Sequence, residues 1–384
     1  MWVIDRDGSN PRNLTKNYPC SISYFQWGPD DRELICVGAE DAGGAIVRIG
    51  CDGQVKKLWS GSVAFGPSRW PSFSISRDQK TICVSREDFY HPMEMWIATV
   101  DSSAVSWKQL THLNPEIVSN ILGAAESVWW KAADGLNVQG FLVKPPDYEN
   151  DKRYPLITVV HGGPGWFFGY RFLGYNYYYA MLPSRGYALF MPNPRGSLGR
   201  GTGFTELNMG DMGGKDFQDI MTGIDYLIEQ GVADPDRLGI SGGSYGGFMT
   251  SWAITQTERF KASVDLYGII NWPSFHGTTT IQKWDEIFYK TDPYEVGGVY
   301  QKFSPLTYIN RVKTPTLILH GELDPFAPVG QGYEFFRSLK DHKVEVELVI
   351  YPREGHGFLE KKHLSDAATR IMDWFEKHIQ AGAK

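Results

Sequence analysis

The sequence lacks any apolar run of about 18 residues, the length that would indicate a membrane-spanning helix. Residues 1–7 show neither the basic nor the apolar stretch of a signal peptide. Basic residues are not in excess either, because 38 Lys and Arg against 44 Asp and Glu give a formal net charge of −6. Proteins that bind nucleic acid or anionic membranes need a basic face. We therefore expect no nucleic-acid partner and no membrane association.

Cysteine is scarce. The four residues form no CxxC pair and all lie in the first quarter of the chain, at Cys20, Cys36, Cys51 and Cys83. Each falls in a predicted strand or turn, which favours a reduced, cytoplasmic protein over a disulfide framework. No group of His, Cys, Asp or Glu has the spacing of metal ligands. We expect neither a metal nor another cofactor.

What the sequence does contain is a globular composition, 42% hydrophobic and 21% charged, over a length that suffices for two domains. Its first ~112 residues repeat. The motif at 2–8 returns at 47–53 and more loosely at 96–101, and predicted strands at 34–37, 45–49, 81–85 and 95–100 are separated by Asp-Gly or Pro-Asp turns. All-β units of roughly 45–50 residues are typical of propeller blades.

Residues 1–112 are thus predicted to form a partial β-propeller of about two blades. A closed propeller needs about 4–8 blades. The ring is therefore truncated, or the blades form an open lid whose edges are covered by something else. An unrelated small β domain is the alternative. Because unpaired strand edges invite association, we expect a homo-oligomer.

Residues 113–384 alternate strand and helix patterns. This pattern predicts a doubly wound, mostly parallel α/β sheet covered on both faces, with ligands bound at the carboxyl ends of its strands. The predicted strands lie at 140–144, 156–161, 187–192, 237–241, 262–266, 316–320 and 344–350, and the predicted helices at 215–230, 245–256, 330–340 and 364–379.

A nucleophile motif, G-x-S-x-G, occurs twice and overlaps, around Ser241 and around Ser244. A nucleophile elbow requires a strand before the serine and a helix after it. Ser244 has the predicted strand 237–241 before it and the predicted helix 245–256 after it. The strand before Ser241 would have to include the polar, proline-containing residues 234–238. We therefore predict Ser244 as the nucleophile.

A serine needs an imidazole to accept its proton and a carboxylate to orient that imidazole. His356 follows the strand 344–350 between two glycines, where the base of such a site is expected. Asp324 follows the strand 316–320 and is the candidate acid, with Glu322 as its rival. The oxyanion of a tetrahedral intermediate needs hydrogen-bond donors. The backbone N–H groups of Tyr245 and Gly163 are the candidates, because one follows the nucleophile and the other lies in the glycine loop after the strand 156–161.

Aromatic residues and one arginine near these loops are candidate substrate-binding residues. Trp166, Trp272 and Phe275 could line an apolar acyl or side-chain pocket, and core packing is the alternative interpretation. Arg195 could bind a substrate carbonyl, and an internal salt bridge is the alternative.

Together, these stretches resemble the prolyl oligopeptidase family of serine peptidases, in particular its acylaminoacyl-peptidase branch. The matching motifs are His161-Gly-Gly-Pro, Asn193-Pro-Arg-Gly-Ser, Asp234-Pro-Asp-Arg, Gly242-Gly-Ser-Tyr-Gly-Gly, Ser304-Pro-Leu, His320-Gly-Glu-Leu-Asp and Glu354-Gly-His-Gly. The resemblance implies an α/β-hydrolase fold, the triad Ser244, Asp324 and His356, and oxyanion donors at Gly163 and Tyr245. Phe326 stands where the family often has an arginine after the acid. The resemblance therefore adds Phe326 to the substrate-binding candidates and implies a more apolar pocket than is usual in the family.

The resemblance implies a serine hydrolase that cleaves short or N-acylated peptides through an acyl-enzyme. A carboxylesterase acting on small, non-peptide esters is the alternative, because the same residues serve both reactions. A non-catalytic scaffold is the hypothesis from a different functional class. The complete set of triad residues argues against it.

Overall fold

The computed structural model describes residues 1–28, 30–66, 73–100, 105–116, 123–175 and 178–379. The chain divides into two compact units. Unit 1 comprises residues 1–120, 167–175 and 197–206, and unit 2 comprises residues 121–166, 176–196 and 207–384. Two segments from the second half of the sequence therefore group with the first. The predicted division into 1–112 and 113–384 stays a prediction.

Unit 1 is built almost entirely from antiparallel strands. Its elements are β1 (Trp2–Val3), β2 (Arg12–Asn13), β3 (Ser21–Trp27), β4 (Glu33–Glu40), β5 (Gly43–Gly50), β6 (Val55–Gly61), β7 (Ala64–Phe65), β8 (Phe73–Ile75), β9 (Thr81–Glu87), β10 (Glu94–Val100), β11 (Val105–Gln109) and the short helix α1 (Thr202–Thr205).

These strands form three sheets within unit 1. Strands β1 and β2 pair with each other, β3 to β6 form a four-stranded sheet in sequence order, and a five-stranded sheet has the order β11-β10-β9-β7, with β8 also paired to β9. Side chains from the two larger sheets share one hydrophobic cluster, which includes Val37, Ile46, Val84 and Ala98. The four strands predicted from the sequence correspond to β4, β5, β9 and β10.

All four cysteines belong to unit 1 and are free thiols. Cys20 and Cys36 are buried, and burial raises the pKa of each thiol to about 12. Cys51 and Cys83 are partly exposed.

Unit 2 contains eight strands and seven α-helices within its described residues. They are β12 (Ala124–Lys131), β13 (Asn137–Lys144), β14 (Tyr154–Val160), β15 (Ala188–Asn193), α2 (Lys215–Glu229), β16 (Ala233–Gly243), α3 (Tyr245–Gln256), β17 (Phe260–Leu266), α4 (Trp272–Thr278), α5 (Gln282–Tyr289), α6 (Val299–Lys302), β18 (Thr316–Gly321), α7 (Gly330–Asp341), β19 (Val346–Tyr351) and α8 (Lys361–His378).

The eight strands form one sheet in the order β12-β13-β15-β14-β16-β17-β18-β19. Strand β13 pairs antiparallel with both of its neighbours, and every other pair is parallel. All seven residues of β14 are buried, as expected for a central strand covered on both faces. Helix α2 buries Ile220, Ile224 and Leu227, which recur at helical spacing. The predicted α/β class, with a mostly parallel sheet, is confirmed.

Strand β16 is longer than the sequence predicts, because it begins at Ala233 and includes Pro235. The register explains how a proline is tolerated next to a central strand. Tyr154 of β14 pairs with Ala233, whereas Leu156 pairs with Leu238, so residues 234–237 lie in an irregularity between these two pairs. A proline in such a bulge does not have to donate a ladder hydrogen bond. The argument that residues 234–238 cannot be part of a strand is wrong.

No helix in the part of the chain that the structure describes combines the length and the apolar character that a membrane span requires.

Candidate active site

Ser244 lies in the sharp turn between β16 and α3, with φ 61° and ψ −121°. Non-glycine residues rarely adopt a positive φ, and such strain is concentrated at functional sites. The turn also requires the glycines on either side of it. A Cβ on Gly246 would lie 2.0 Å from the carbonyl oxygen of Val160, and one on Gly242 would lie 2.5 Å from the same atom. The G-x-S-x-G pattern around Ser244 thus follows from how closely this turn approaches β14.

The other serine of the overlapping motif has a different environment. Ser241 is fully buried within β16. Its hydroxyl donates to the carbonyl oxygen of Val264 at 2.8 Å and shares a hydrogen bond with the Tyr179 hydroxyl at 2.7 Å. These contacts hold Ser241 inside the sheet, away from solvent.

The structure brings Ser244, His356 and Asp324 into one hydrogen-bonded row. The Nε2 atom of His356 lies 2.8 Å from Oγ of Ser244, and its Nδ1 atom lies 2.7 Å from Oδ2 of Asp324. Since Nδ1 donates to a carboxylate, Nε2 of the neutral imidazole is left to accept the serine proton. The row therefore has the geometry that serine activation requires.

Asp324 is held by the loop after β18. Its Oδ1 atom accepts the N–H groups of Phe326 and Ala327 at 2.9 and 3.0 Å, which leaves Oδ2 for His356. His320, buried in β18, lies 3.6 Å from Oδ2 and bonds through Nε2 to the Ala327 carbonyl oxygen. Burial lowers the pKa of His320, which favours its neutral form beside the acid. Asp324 is therefore oriented mainly by backbone N–H groups.

Glu322, the rival acid, is exposed and accepts the N–H of Arg353 at 3.1 Å. None of the hydrogen bonds found among the described residues joins it to His356. The structure therefore brings Asp324, and not Glu322, to the imidazole.

The loop that carries His356 is anchored through Glu354, which sequence reasoning did not single out. The buried carboxylate of Glu354 accepts the N–H groups of Leu359 and Glu360, each at 2.9 Å, and the Nδ1 atom of His363 lies 2.8 Å from it. These contacts fix the backbone on both sides of His356 at the beginning of α8. The presence of Glu354 in the same short motif as His356 was the available sequence signal.

Two aromatic rings flank the imidazole of His356. The ring centroid of Tyr267 lies 5.0 Å away and that of Phe326 lies 5.4 Å away, with interplanar angles of 62° and 74° to the imidazole. Tyr267, which sequence reasoning missed, directly follows β17 and has φ 42°. Its position at the carboxyl end of a parallel strand is the signal that could have identified it.

The loop after β14 approaches the nucleophile from the other side. A Cβ on Gly162 would lie 3.4 Å from Cβ and 4.0 Å from Oγ of Ser244. The next residue, Gly163, has φ 124° and precedes a cis peptide bond to Pro164. Tyr245 is the first residue of α3, and the first N–H groups of a helix have no partner within the helix. One predicted oxyanion donor, Tyr245, directly follows Ser244 in the sequence. The other, Gly163, lies in the loop after β14, next to the glycine that approaches Ser244.

The side chain of Tyr245 points into the core and donates to the Asp216 carboxyl group. Asp216 also accepts the N–H groups of Gly213 and Phe217 and a bond from Asn208. Complete burial raises the pKa of Asp216 to about 7 despite these donors. This cluster holds the first turn of α3 behind the nucleophile.

Three predicted substrate-binding residues are not placed at a surface. Trp272 and Phe275 are fully buried in the main core cluster. Arg195 is buried and binds Asp219 through Nε and Nη2, at 2.8 and 2.7 Å, and Asp134 through Nη1 and Nη2, at 2.9 and 3.0 Å. These positions favour the alternatives of core packing for Trp272 and Phe275 and of an internal salt bridge for Arg195, and the substrate-binding role of the three residues stays a prediction.

Trp166 and Phe326 remain available. Trp166 is half-buried in the loop beside Gly163, and Phe326 is 40% exposed beside His356.

One group of side chains in the described residues could hold a cation by distance alone. Ligand atoms of Glu354, Glu360 and His363 lie within 4.8 Å of one another. These groups are engaged with the protein, because His363 bonds to Glu354 and Arg353 pairs with Glu360 at 2.8 Å. We assign this cluster to the anchoring of the His356 loop. The expectation of no metal stays a prediction.

Comparisons with known proteins give a consistent result. A family model described as the prolyl oligopeptidase family matches residues 174–382. The uncharacterized peptidase YuxL of Bacillus subtilis is 34% identical over 362 residues, which cover 92% of this chain and 53% of that protein. The acylamino-acid-releasing enzyme of Arabidopsis thaliana is 34% identical over 241 residues, which cover 60% of this chain and 31% of that enzyme.

A solved structure of Pyrococcus horikoshii acylaminoacyl peptidase is similar to this chain with a TM-score of 0.83 and 28% identity, covering 97% of this chain and 58% of that one. This similarity confirms the predicted α/β-hydrolase fold with an N-terminal β region. The chain spans about half, or less, of the length of the curated relatives named here.

Proposed function

Because the chain belongs to the prolyl oligopeptidase family, we propose that it is a serine peptidase that cleaves short or N-acylated peptides through an acyl-enzyme. The observation that supports this most strongly is the row Ser244–His356–Asp324, with links of 2.8 and 2.7 Å. The name of the Arabidopsis relative, an acylamino-acid-releasing enzyme, supports the substrate class.

In the proposed mechanism, Oγ of Ser244 attacks the acyl carbonyl carbon while Nε2 of His356 takes the hydroxyl proton. Asp324 keeps Nδ1 of the imidazole protonated and stabilises the imidazolium. The N–H groups of Tyr245 and Gly163 bind the oxyanion. His356 then gives its proton to the leaving amine. The same imidazole then deprotonates a water, which attacks the acyl-enzyme; as the acyl–oxygen bond breaks, the imidazolium returns this proton to Oγ of Ser244 and the acid is released.

We propose that Trp166 and Phe326 contact the substrate. Phe326 is exposed beside His356, and Trp166 follows the loop that approaches Ser244. Apolar rings at these positions suit an acyl group or an apolar side chain.

The overlapping serines offer a matched test of the nucleophile. A fluorophosphonate probe should label the wild-type chain and the Ser241→Ala variant, and should not label Ser244→Ala. Turnover of N-acetyl-alanyl p-nitroanilide should fall by about 10⁴-fold or more in Ser244→Ala. Labelling that persists in a folded Ser244→Ala protein would refute the proposal.

A substrate panel separates peptidase from esterase activity. The wild-type chain should cleave N-acyl-aminoacyl anilides as well as p-nitrophenyl acyl esters. Turnover of esters without any cleavage of anilides would instead establish the carboxylesterase alternative.

We also propose that residues 1–112 form a partial β-propeller and that residues 113–384 form the catalytic domain. The successive antiparallel sheets β3–β6 and β7–β11 support the first assignment.

We further propose a cytoplasmic homo-oligomer. The four free thiols support a reducing compartment, and the exposed Tyr24, Phe25 and Trp27 on the edge strand β3 support association. Light scattering that finds only monomers would rule out the oligomer.

A further inference from the structure

Arg86, on β9 of unit 1, lies among three indole rings. Its guanidinium carbon is 4.5 Å from the ring centroid of Trp96, 5.0 Å from that of Trp107 and 5.9 Å from that of Trp59. We propose that Arg86 and the cavity beside it form a binding site for a ligand that carries a carboxylate group, with the Trp96 indole contacting its apolar part. The proposal is independent of the proposed peptidase activity, because all of its residues belong to unit 1.

The strand register explains why these side chains meet. Arg86 is opposite Phe65 of β7 and Glu94 of β10, and Trp96 is opposite Val84. Directly opposed residues share one face of an antiparallel sheet, and residues two apart along a strand share it too. Trp96 and Arg86 are therefore diagonal neighbours on one face.

The Arg86 guanidinium has no ion pair in the described part of the chain, and no side-chain hydrogen bond to it was found there. Partial burial between the rings lowers its pKa. A guanidinium nevertheless stays charged at neutral pH. A partly desolvated cation that no carboxylate contacts favours the binding of an anion.

The carboxylates that line the same cavity already have donors. Glu87 accepts bonds from the Arg171 guanidinium at 2.6 Å and from the Phe172 N–H at 3.2 Å. Glu94 accepts bonds from the Thr111 hydroxyl and from the Leu113 N–H.

Asp88 is engaged in the same way. Its carboxylate accepts the N–H groups of Tyr90 and His91, each at 2.9 Å, and contacts the His91 ring. Asp88 is also the acid whose charge stabilises the Arg86 cation, although the two form no ion pair. Arg86 therefore differs from the acids around it, because each of them accepts hydrogen bonds from described groups, whereas no hydrogen bond from the Arg86 guanidinium was found in the described part of the chain.

The cavity has a volume of about 440 Å³, enough for a dipeptide-sized ligand. Arg86, Trp96, Gln109 and His112 are among its lining residues. The flat guanidinium presents two parallel N–H groups, which match the two oxygens of a carboxylate. The Trp96 indole, which lines the cavity, suits an organic ligand better than a small inorganic ion.

Isothermal titration calorimetry on the full chain, with Ser244 blocked by a fluorophosphonate, tests the proposal. The probes are N-acetyl-dialanine with a free C-terminal carboxylate, its C-terminal amide, N-acetyl-aspartyl-alanine amide and inorganic phosphate. We expect at least one carboxylate probe to bind about tenfold or more tightly than the uncharged amide and than phosphate. Comparison of the two carboxylate probes distinguishes a chain terminus from an acidic side chain.

The variants locate the binding. Arg86→Gln should abolish the preference for carboxylate, and Arg86→Lys, which keeps the charge and loses the planar fork, should weaken binding about tenfold. Arg77→Gln removes an exposed charge from the turn before β9 and should bind as wild type. Near-UV circular dichroism checks the fold of each variant.

The proposal is overturned if the amide or phosphate binds as tightly as the carboxylates, or if no probe binds. It is also overturned if folded Arg86→Gln keeps the wild-type affinity. If Arg86→Gln does not fold, the other two variants decide. The proposal is rejected if Arg86→Lys binds with wild-type affinity, or if Arg77→Gln weakens binding as much as Arg86→Lys does.

Discussion

Two carboxylates lie two positions apart after β18, and their surroundings differ. Asp324 is buried and touches His356, whereas Glu322 is exposed and accepts one backbone N–H. We predict that Asp324→Asn lowers kcat by about 10⁴-fold, because an amide favours the wrong imidazole tautomer. Glu322→Gln should stay within about twofold of wild type. Steady-state kinetics on an N-acyl-aminoacyl anilide measures both. Similar losses in the two variants would contradict the assignment.

Asp216 makes the stability of the fold depend on pH. Its pKa is raised to about 7 in the folded protein, against about 3.9 in an unfolded chain, because the carboxyl group is buried. Between these values the folded state keeps a proton that the unfolded state has lost, so stability falls as pH rises from about 4 to about 7. The expected contribution is about 1.4 kcal/mol per pH unit within this window.

Urea unfolding at pH 5, 6 and 7 measures this dependence. Asp216→Asn should flatten the slope, and the exposed Asp236→Asn should not change it. Part of the slope should persist in Asp216→Asn, because burial also raises the pKa of Asp265 to about 7. A variant slope equal to that of the wild type would show that Asp216 does not titrate in this range.

At the candidate site, the sequence predicts the residues that a motif marks. It does not decide the role of residues whose function depends on how they pack. Ser244, Asp324 and His356 were found from strand ends and flanking glycines, and the structure brings them together. For Trp272 and Phe275 the sequence leaves a pocket and a core open, because an apolar residue beside a loop looks the same in both places; the structure packs both residues in the main core cluster. The anchor Glu354 shares a short motif with His356, but its role was not predicted because its three partners come from residues 359–363, outside that motif.

At the scale of elements, the turn into α3 should be intolerant of a single methyl group. We predict that Gly246→Ala lowers the melting temperature by many degrees or prevents folding, because its Cβ would lie 2.0 Å from the Val160 carbonyl oxygen. Gly277→Ala is the matched control. Gly277 also lies in a helix, α4, and has no neighbouring atom within 4 Å of an added Cβ.

Gly277→Ala should be neutral or stabilise the protein by about 0.5–1 kcal/mol, since alanine has the higher helix propensity. Differential scanning calorimetry compares the two variants. Equal melting temperatures would show that the elbow relaxes more easily than its geometry indicates.

Helix α3 and strand β16 show what limits the prediction of elements. Helix α3 has the predicted bounds, since a nucleophile motif marks its start. Strand β16 was predicted too short, because the register irregularity that accommodates Pro235 depends on β14, eighty residues earlier. Strands β3, β6 and β11 were missed, since many of their residues are exposed and lack a buried run.

At the scale of the whole molecule, the distribution of cysteine allows the two units to be followed separately. Buried Cys20 and Cys36 have thiol pKa values raised to about 12, whereas Cys51 and Cys83 are partly exposed. Only a thiolate alkylates readily, and an ordinary thiol has a pKa of about 8.5. We predict that iodoacetamide at pH 8 modifies Cys51 and Cys83 quickly. Cys20 and Cys36 should react only when unit 1 unfolds, as peptide mass spectrometry will show. Fast modification of all four in native protein would contradict the burial.

Because unit 2 contains no sulfhydryl group, the rate of thiol alkylation reports the unfolding of unit 1 alone. During heating, alkylation of Cys20 and Cys36 would mark the unfolding of unit 1, and loss of fluorophosphonate labelling at Ser244 would mark the unfolding of unit 2. Comparing the two temperatures would show which unit unfolds first. Oxidants that attack thiols should likewise damage the β-rich half and spare the nucleophile.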